Sequence, residues 1–305
     1  MNAVKRTLQA LTLLVVLGGC SSLMGGVQDT LFGAITGNPT DLAKVQKVGQ
    51  AFQSASEEIT PEQEYYIGRA VAATVLTTYK PWDSRKANDY LNTLGRALAL
   101  ASILPETYSG YHFLIMDTDD INAFGAPSGF ILVSRGLLRC AVSEDDVAAI
   151  LAHEIGHVSL KHGLSAISSA RWTEAALQLG KFAAESSNSA ILRDLTSSFG
   201  GVISDIVKTM ITSGYSQDLE KQADLEAVRI LHDVGYDPHA MVRMLTVMKA
   251  KLKPDGKDFA KTHPDPQTRI AYVTDAVKAQ TLVAATTAAQ TKARQTRWQA
   301  ALQKI

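Results

Sequence analysis

The pentapeptide His153-Glu154-Ile155-Gly156-His157 follows an uncharged run from Val147 to Ala152. Residues four apart on an α-helix share one face, so the imidazoles of His153 and His157 can reach the same metal ion. Glu154 lies to the side of that pair, where a carboxylate can accept a proton from water. The pattern therefore predicts a zinc-binding helix with His153 and His157 as ligands and Glu154 as the general base.

The residues around this pentapeptide support a buried helix. Ser143 is a good N-cap residue, and Glu144, Asp145 and Asp146 place acids at the positive end of the helix dipole. Glycine inside a helix costs about 1 kcal/mol, so Gly156 indicates close packing against a neighbouring segment.

A catalytic zinc needs a third protein ligand, and the segment Glu220-Lys221-Gln222-Ala223-Asp224 offers two carboxylates four residues apart. One of them can bind zinc while the other accepts the distal N–H of a ligating histidine. The alternative is a solvated acidic helix that binds nothing. Spacing alone does not choose between them.

The N-terminus has the layout of a secretory leader. Lys5 and Arg6 precede an apolar run from Leu8 to Leu17, and small residues lead to Cys20. We expect a lipoprotein signal peptide over 1–19 and a lipidated Cys20, followed by a tether over 20–58 that joins a lipid bilayer to the folded body. The alternative is an ordinary signal peptide with a coincidental cysteine.

Composition narrows the possible partners. Lys plus Arg and Asp plus Glu each number 30, so no broad basic field is available to hold a phosphate backbone, and we expect no nucleic-acid partner. Without Cys20 the chain keeps a single cysteine, Cys140, which cannot form an intrachain disulfide. No apolar run of about 18 residues follows the leader, so no membrane-spanning helix is expected.

Periodicity and turn residues predict an α+β, predominantly α-helical fold with a small β-sheet next to the metal helix. Two β-like runs are joined by a long turn-rich loop. The predicted helices span 60–79, 89–103, 143 onward through the pentapeptide, 216–233 and the stretch beyond Thr268, and the predicted strands span 111–116 and 130–133.

Several separately placed motifs together resemble one family. They are the pentapeptide, the Glu220-x-x-x-Asp224 pair, Thr262-His263-Pro264 with Arg269-Ile270, and the segments Asn122–Phe124, Gly129–Ile131 and Gly136–Leu138. In this order they are similar to the gluzincin metallopeptidases of family forty-eight. The resemblance runs from about Thr60 to Ala271.

The resemblance implies one Zn²⁺ per chain, bound by His153, His157 and Glu220. It makes Glu154 the general base and later the proton donor, and makes Asp224 the partner of a ligating histidine. The usual acid at position 222 is Gln222 here, a departure expected not to touch the metal. His263 matches a histidine that in some members occupies the open zinc position.

These observations combine into one hypothesis and its rivals. We expect a metallopeptidase domain over 59–275 and a C-terminal helix over 276–305, acting on unfolded or misassembled envelope polypeptides at the periplasmic face of the outer membrane. The substrate is expected to pair with an edge strand at Asn122, Phe130 and Ile131, and His263 or Arg269 to donate to the oxyanion.

One rival is a lipoprotein chaperone or assembly factor whose zinc site is closed by His263 as fourth ligand. Another is a scaffold with a structural zinc or no metal at all. The remaining histidines, among them His162, are expected to be structural because none has a metal-compatible partner at the right helical spacing.

Overall fold

The fold is described by a computed structural model of the chain. It covers residues 59–165, 200–251, 263, 266–280, 286–303 and 305. The expected signal peptide over 1–19, the segment 20–58 with Cys20, and residues 166–199 lie outside the described residues. The residues described all belong to one compact unit.

Helices dominate this unit, and a three-stranded sheet accompanies them, which confirms the predicted α+β, mainly helical class. In chain order the elements are α1 (Pro61–Thr78), α2 (Arg85–Ala99), β1 (His112–Met116), β2 (Ala123–Ala126), a 3-10 turn (Pro127–Gly129), β3 (Phe130–Ser134), α3 (Arg135–Leu138), α4 (Glu144–Ser159), α5 (His162–Ser165), α6 (Gly200–Lys208), a π-helical turn (Thr209–Ser213), α7 (Gln217–Val234), α8 (His239–Lys251), α9 (Pro266–Ala279) and α10 (Ala288–Leu302).

The first two helices differ in how well their bounds were predicted. Pro61 occupies the first position of α1, where its missing N–H costs nothing, as expected. Helix α2 begins at Arg85 and ends at Ala99, four residues earlier at both ends than the predicted range 89–103. Ser84, with extended backbone angles, is its N-cap residue.

The sheet contains a strand that the sequence did not predict. Strand order is β1-β3-β2, with β1 parallel and β2 antiparallel to the central β3. Strand β2 lies in the segment predicted as a loop between the two apolar runs. Its residues Ala123-Phe124-Gly125-Ala126 include no β-branched residue, so the usual strand signal is weak.

The predicted substrate-binding edge is wrong. Phe130 and Ile131 belong to β3, whose two sides are already paired with β1 and β2, so this strand has no free edge. Asn122 precedes β2 and is buried, and its side-chain oxygen accepts a hydrogen bond from the N–H of Ala123. Of the three residues, only Asn122 adjoins an outer strand.

The outer side of β1 is closed by α2. Asn92 accepts a hydrogen bond from the Phe113 N–H and donates one to the Phe113 carbonyl, while Asn88 accepts from the Ile115 N–H. These side chains take the place of a further strand. Among the described residues, no strand pairs with the outer side of β2.

The metal helix α4 begins where predicted. The Ser143 hydroxyl accepts a hydrogen bond from the Asp146 N–H, and three acids occupy the first turn. Every residue from Asp146 to Ser159 is buried, so this helix runs through the interior. It ends at Ser159, and Lys161 adopts a left-handed conformation with φ of 58° that turns the chain into α5.

Helix α7 packs directly against α4. The Ser216 hydroxyl accepts a hydrogen bond from the Leu219 N–H at its start, and Gly235, with φ of 79°, ends it. A Cβ added to Gly156 would lie 2.9 Å from the Ala223 carbonyl oxygen. This contact confirms that Gly156 marks a close approach of two helices.

The C-terminal part forms two helices rather than one. Helix α9 continues past position 275, so the expected boundary between 275 and 276 falls inside it. Thr287 and Gln290 form a reciprocal capping box at the start of α10. Arg294 and Arg297 of α10 bind Asp145 and Glu144 at the start of α4, which holds α10 on the same unit.

Within the described part of the chain, no helix is both long and apolar enough to cross a membrane.

Candidate metal centre

Three side chains from two helices converge in the interior. His153 and His157 on α4 bring their Nε2 atoms to 3.2 Å from each other. Glu220, on the first turn of α7, lies 3.3 Å from His157 Nε2 through Oε1 and 3.6 Å from His153 Nε2 through Oε2. The helical spacing that suggested a shared face is therefore realised in three dimensions.

His263 completes a cluster of four. Its Nδ1 atom lies 2.7 Å from Glu220 Oε1 and 3.5 Å from His153 Nε2. One ligand atom from each of His153, His157, Glu220 and His263 lies within 4.8 Å of all the others, and all four residues are buried. His263 thus reaches the helix pair from a distant part of the chain.

The spacing of these atoms suits a small tetrahedral ion. Zn–N bonds of 2.0–2.1 Å require neighbouring ligand atoms about 3.3 Å apart in a tetrahedron. The separations of 3.2, 3.3, 3.5 and 3.6 Å lie close to that value, whereas His263 Nδ1 and Glu220 Oε1 are closer together, at 2.7 Å. Two or three imidazoles with one carboxylate are also the donor set that zinc favours.

Glu154 lies next to the cluster on the side of the sheet. A Cβ added to Gly125 of β2 would lie 2.8 Å from the main-chain oxygen of Glu154 and 3.2 Å from its Oε2. The absence of a side chain at position 125 therefore leaves room for this carboxylate. Glu154 is 1% exposed, so its surroundings contain little bulk water.

Asp224 lies one turn after Glu220 and contacts the other side of His153. Its Oδ1 is 2.9 Å from His153 Nδ1, so His153 can donate from Nδ1 while Nε2 faces the cluster. This contact is the one that the family resemblance implied for Asp224. The sequence-based alternative of a solvated acidic helix is excluded, because Glu220 and Asp224 are both fully buried.

Arg269 lies behind the cluster and binds both acids of α7. It donates to Asp224 from Nε and Nη2 at 2.9 and 2.7 Å, and its Nη1 is 2.9 Å from Glu220 Oε2. Tyr272, three residues further along α9, donates to Asp224 at 2.5 Å. These contacts make Arg269 the counter-ion of two buried carboxylates, in contrast to the expected oxyanion donor.

The electrostatics favour ionised acids. Burial opposes the charge on Asp224, but Arg269 and the hydrogen bond from His153 lower the pKa of Asp224 well below its usual value. Burial likewise opposes the charge on Glu220, and the nearby His263 and Arg269 lower the pKa of Glu220 far below normal. The site therefore presents anionic oxygens to a cation over the whole neutral range.

Two residues of the site were missed by sequence reasoning. His162 was expected to be structural, yet its Nδ1 lies 2.9 Å from Nδ1 of the proposed ligand His157. Burial, together with the neighbouring His157, lowers the pKa of His162 to about 4. Tyr215 stacks on His157, with ring centroids 4.3 Å apart.

The reasons for these omissions are geometric. On a continuous helix, a residue five positions after His157 would face another side, but the left-handed turn at Lys161 carries His162 back. Tyr215 precedes the N-cap Ser216, where no periodic signal exists. His112, His232 and His239 contact Ser109, Asp233 and Asp237 respectively, away from the cluster.

The site of a gluzincin-type metallopeptidase is defined by two histidines one helical turn apart, a glutamate between them and a carboxylate from a second helix. The profile of peptidase family M48 matches residues 85–277, which is more than half of the chain. The chain therefore belongs to peptidase family M48.

Individual relatives agree with this assignment. The chain is 27% identical over 188 residues to the β-barrel assembly-enhancing protease of Escherichia coli (strain K12), covering 60% of this chain and 37% of that protein. It is 26% identical over 228 residues to the protein of the same name from Yersinia pestis, covering 72% and 44%.

A third relative is the mitochondrial metalloendopeptidase OMA1 of Arabidopsis thaliana, which is 29% identical over 164 residues, or 52% of this chain and 30% of that protein. The chain spans less than half the length of the β-barrel assembly-enhancing proteases that it matches.

Proposed function

We propose that this protein is a zinc-dependent endopeptidase, with one Zn²⁺ held by His153, His157 and Glu220. The observation that carries the proposal is the buried cluster of four possible ligand atoms that lie within 4.8 Å of one another, with the carboxylate of Glu154 beside it. Zinc, when bound, supplies a Lewis acid that polarises a peptide carbonyl and lowers the pKa of water toward 7.

The side chains of the protein perform the proton transfers in this proposal. Glu154 accepts the proton of the attacking water and then returns it to the nitrogen of the departing amine. Asp224 holds His153 with Nε2 directed at the cluster, and Arg269 keeps Asp224 ionised and in place. The near-complete burial of Glu154 strengthens its electrostatic interactions with the reacting groups.

We propose that the substrate chain pairs with β2. The Ser134 N–H donates to the Asn122 carbonyl, and in an antiparallel ladder this pattern directs the N–H and C=O of Gly125 away from β3. Gly125 also adjoins Glu154, so a peptide added there would run past the catalytic carboxylate. Backbone pairing makes few demands on sequence, which suits unfolded polypeptides.

A second function is supported by the position of His263. With Nδ1 at 2.7 Å from Glu220 and 3.5 Å from His153, His263 has the geometry of a fourth ligand that would close the metal site. The protein would then act mainly as a chaperone or assembly factor, with cleavage restrained until His263 moves.

The first test is Glu154→Gln. We expect this variant to retain about one zinc per chain by metal analysis and to lose cleavage of casein, because an amide cannot accept the proton. Asp205→Asn, on α6 outside the cluster, serves as a control that should cleave normally. Undiminished cleavage by Glu154→Gln would contradict the proposed mechanism.

The second test separates an open site from a closed one. If His263 closes the site, His263→Ala should cleave casein faster than the wild type while keeping its zinc. An unchanged or lower rate in a zinc-loaded variant argues against closure by His263.

We also propose a lipoprotein at the periplasmic face of the outer membrane. Support comes from the charged, apolar and small-residue parts that lead to Cys20, and from relatives named for enhancing β-barrel assembly. Misassembled envelope polypeptides are the corresponding substrates. Replacement of Cys20 by Ala should abolish labelling with radioactive palmitate in cells, and labelling of that variant would refute acylation at this position.

A further inference from the structure

The turn after the metal helix brings a second histidine against the first. Lys161, with φ of 58°, reverses the chain so that His162 packs beside α4 and is 2% exposed. The Nδ1 atoms of His157 and His162 are 2.9 Å apart, and their rings are nearly perpendicular at 76°. This distance is that of a hydrogen bond, in which one nitrogen carries the proton and the other accepts it.

The direction of this hydrogen bond follows from the role of His157. If Nε2 of His157 binds the metal, its Nδ1 carries the proton and donates it to His162. Nδ1 of His162 must then be the acceptor, and a neutral imidazole that accepts at Nδ1 carries its proton on Nε2. That Nε2 atom is buried, and the described residues give it no hydrogen bond of normal geometry.

We propose that His162 is a positioning residue that fixes the tautomer and ring orientation of His157. The proposal rests on the proposed zinc site. It gives each ligating histidine its own partner: the ionised Asp224 for His153 and the neutral His162 for His157.

A neutral partner suits the charge balance of the buried site. The charges of one Zn²⁺ and Arg269 offset those of Glu220, Asp224 and Glu154. A carboxylate in place of His162, which is buried, would add a negative charge to a site whose charges are already balanced, and buried unbalanced charge is costly.

The experiment measures the zinc dissociation constant of the full chain by competition with a chelator. Loss of an outer partner of a metal ligand typically weakens binding 10–100-fold, so we expect a loss of about that size in His162→Leu. His162→Asn, whose Oδ1 can replace Nδ1 as acceptor, should recover most of the affinity. Gln217→Leu, which changes an exposed glutamine on α7, should have no effect.

A second measurement needs no variant. In zinc-loaded, ¹⁵N-labelled wild type, a ¹⁵N–¹⁵N coupling across the hydrogen bond should join the Nδ1 atoms of His157 and His162, with the proton on His157. A histidine that only fills space would give no such coupling. Absence of this coupling in the wild type, or wild-type zinc affinity in His162→Leu, would overturn the proposal.

The positioning role of His162 and the proposed function can fail separately. If the wild type binds zinc and cleaves casein while His162→Leu binds zinc equally well, the positioning role fails and the proposed function stands. If the wild type binds no zinc, the proposed function itself fails.

Discussion

At the residue scale, the largest electrostatic cost is the burial of the two carboxylates on α7. Glu220 and Asp224 are buried one turn apart, and Arg269, itself 2% exposed, binds both. A buried ion pair adds little net stability, but removing one partner leaves uncompensated charge in the interior. Arg269 is therefore more important for keeping the acids in place than for any contact with substrate.

Arg269→Met tests this role. We expect the metal-free variant to lose about 3–5 kcal/mol of unfolding free energy in urea, because two carboxylates lose their buried counter-ion. Arg139→Met removes a surface ion pair with Asp119 and should cost less than about 1 kcal/mol. Similar losses in the two variants would show that the burial of the pair does not matter.

The residues of the site were unequally predictable. Helical spacing predicted His153, Glu154 and His157. For Glu220 and Asp224, spacing alone left a solvated acidic helix as the alternative, and the family resemblance supplied their roles. Helical spacing does not predict that His162 lies near the site, because its position depends on the left-handed backbone of Lys161. That conformation is uncommon for a residue other than glycine and cannot be recognised from the sequence. Stacking of Tyr215 on His157 depends on tertiary packing alone.

At the scale of elements, the site depends on the distance between α4 and α7. Gly156 faces the Ala223 backbone, and an added Cβ would lie 2.9 Å from the carbonyl oxygen and 3.1 Å from the Cα. Backbone atoms cannot rotate out of the way, so the helices themselves would have to separate.

Gly156→Ala is therefore expected to be harmful despite the better helix propensity of alanine. Overpacking costs about 1–3 kcal/mol, which exceeds the gain of about 1 kcal/mol from replacing a helical glycine. Urea unfolding should show a net loss, and the zinc dissociation constant should rise because His157 and Glu220 move apart. A stabilised variant with unchanged zinc affinity would contradict this account.

The start of α8 gives a pH-dependent prediction. Asp237 accepts hydrogen bonds from the His239 N–H at 3.0 Å and from Arg243. Burial opposes the charge on Asp237, but these hydrogen bonds lower the pKa of Asp237 below its usual value. A carboxyl with a lowered pKa in the folded state stabilises the fold above its unfolded pKa of about 4 and loses that contribution as pH falls further.

Asp237→Asn removes this titration. At pH 7 we expect the variant to be about 1 kcal/mol less stable than the wild type, since the pair is only partly shielded from solvent. The difference should shrink as the pH is lowered through the pKa of the folded state. Asp275→Asn changes an exposed residue of α9, and its free energy of unfolding should equal that of the wild type at every pH. A constant difference down to pH 2 would be inconsistent with this explanation.

The sheet shows which elements the sequence could specify. Strands β1 and β3 were predictable because their apolar and β-branched residues give a clear signal. Strand β2 was not, since small residues such as Gly125 are required there by the approach of Glu154 rather than by strand propensity. The close approach of Glu154 thus weakened the local strand signal of β2.

At the scale of the whole molecule, the metal would join distant parts of the chain. His153 and His157 lie on α4, Glu220 on α7, and His263 in the segment before α9. A ligand that binds only the folded state stabilises it in proportion to the logarithm of its concentration relative to its dissociation constant. Zinc should therefore hold the chain together as well as serve the chemistry.

Removal of the metal gives a direct test. At free zinc about 100 times its dissociation constant, binding contributes about 2.7 kcal/mol, which corresponds to a rise in Tm of about 5–10 °C for a domain of this size. A chelator should lower Tm by that amount and added zinc should restore it. Glu220→Ala should respond much less to either treatment, and an equal response would mean that the metal binds elsewhere.

The asparagines on α2 have one more consequence. If the substrates are unfolded chains, as proposed, the protein meets many strands that could extend its own sheet, and such an addition on the wrong side could seed aggregation. Asn88 and Asn92 occupy the hydrogen-bonding positions of β1 that an incoming strand would need. They keep that side of the sheet occupied, which leaves the outer side of β2 for the proposed substrate chain.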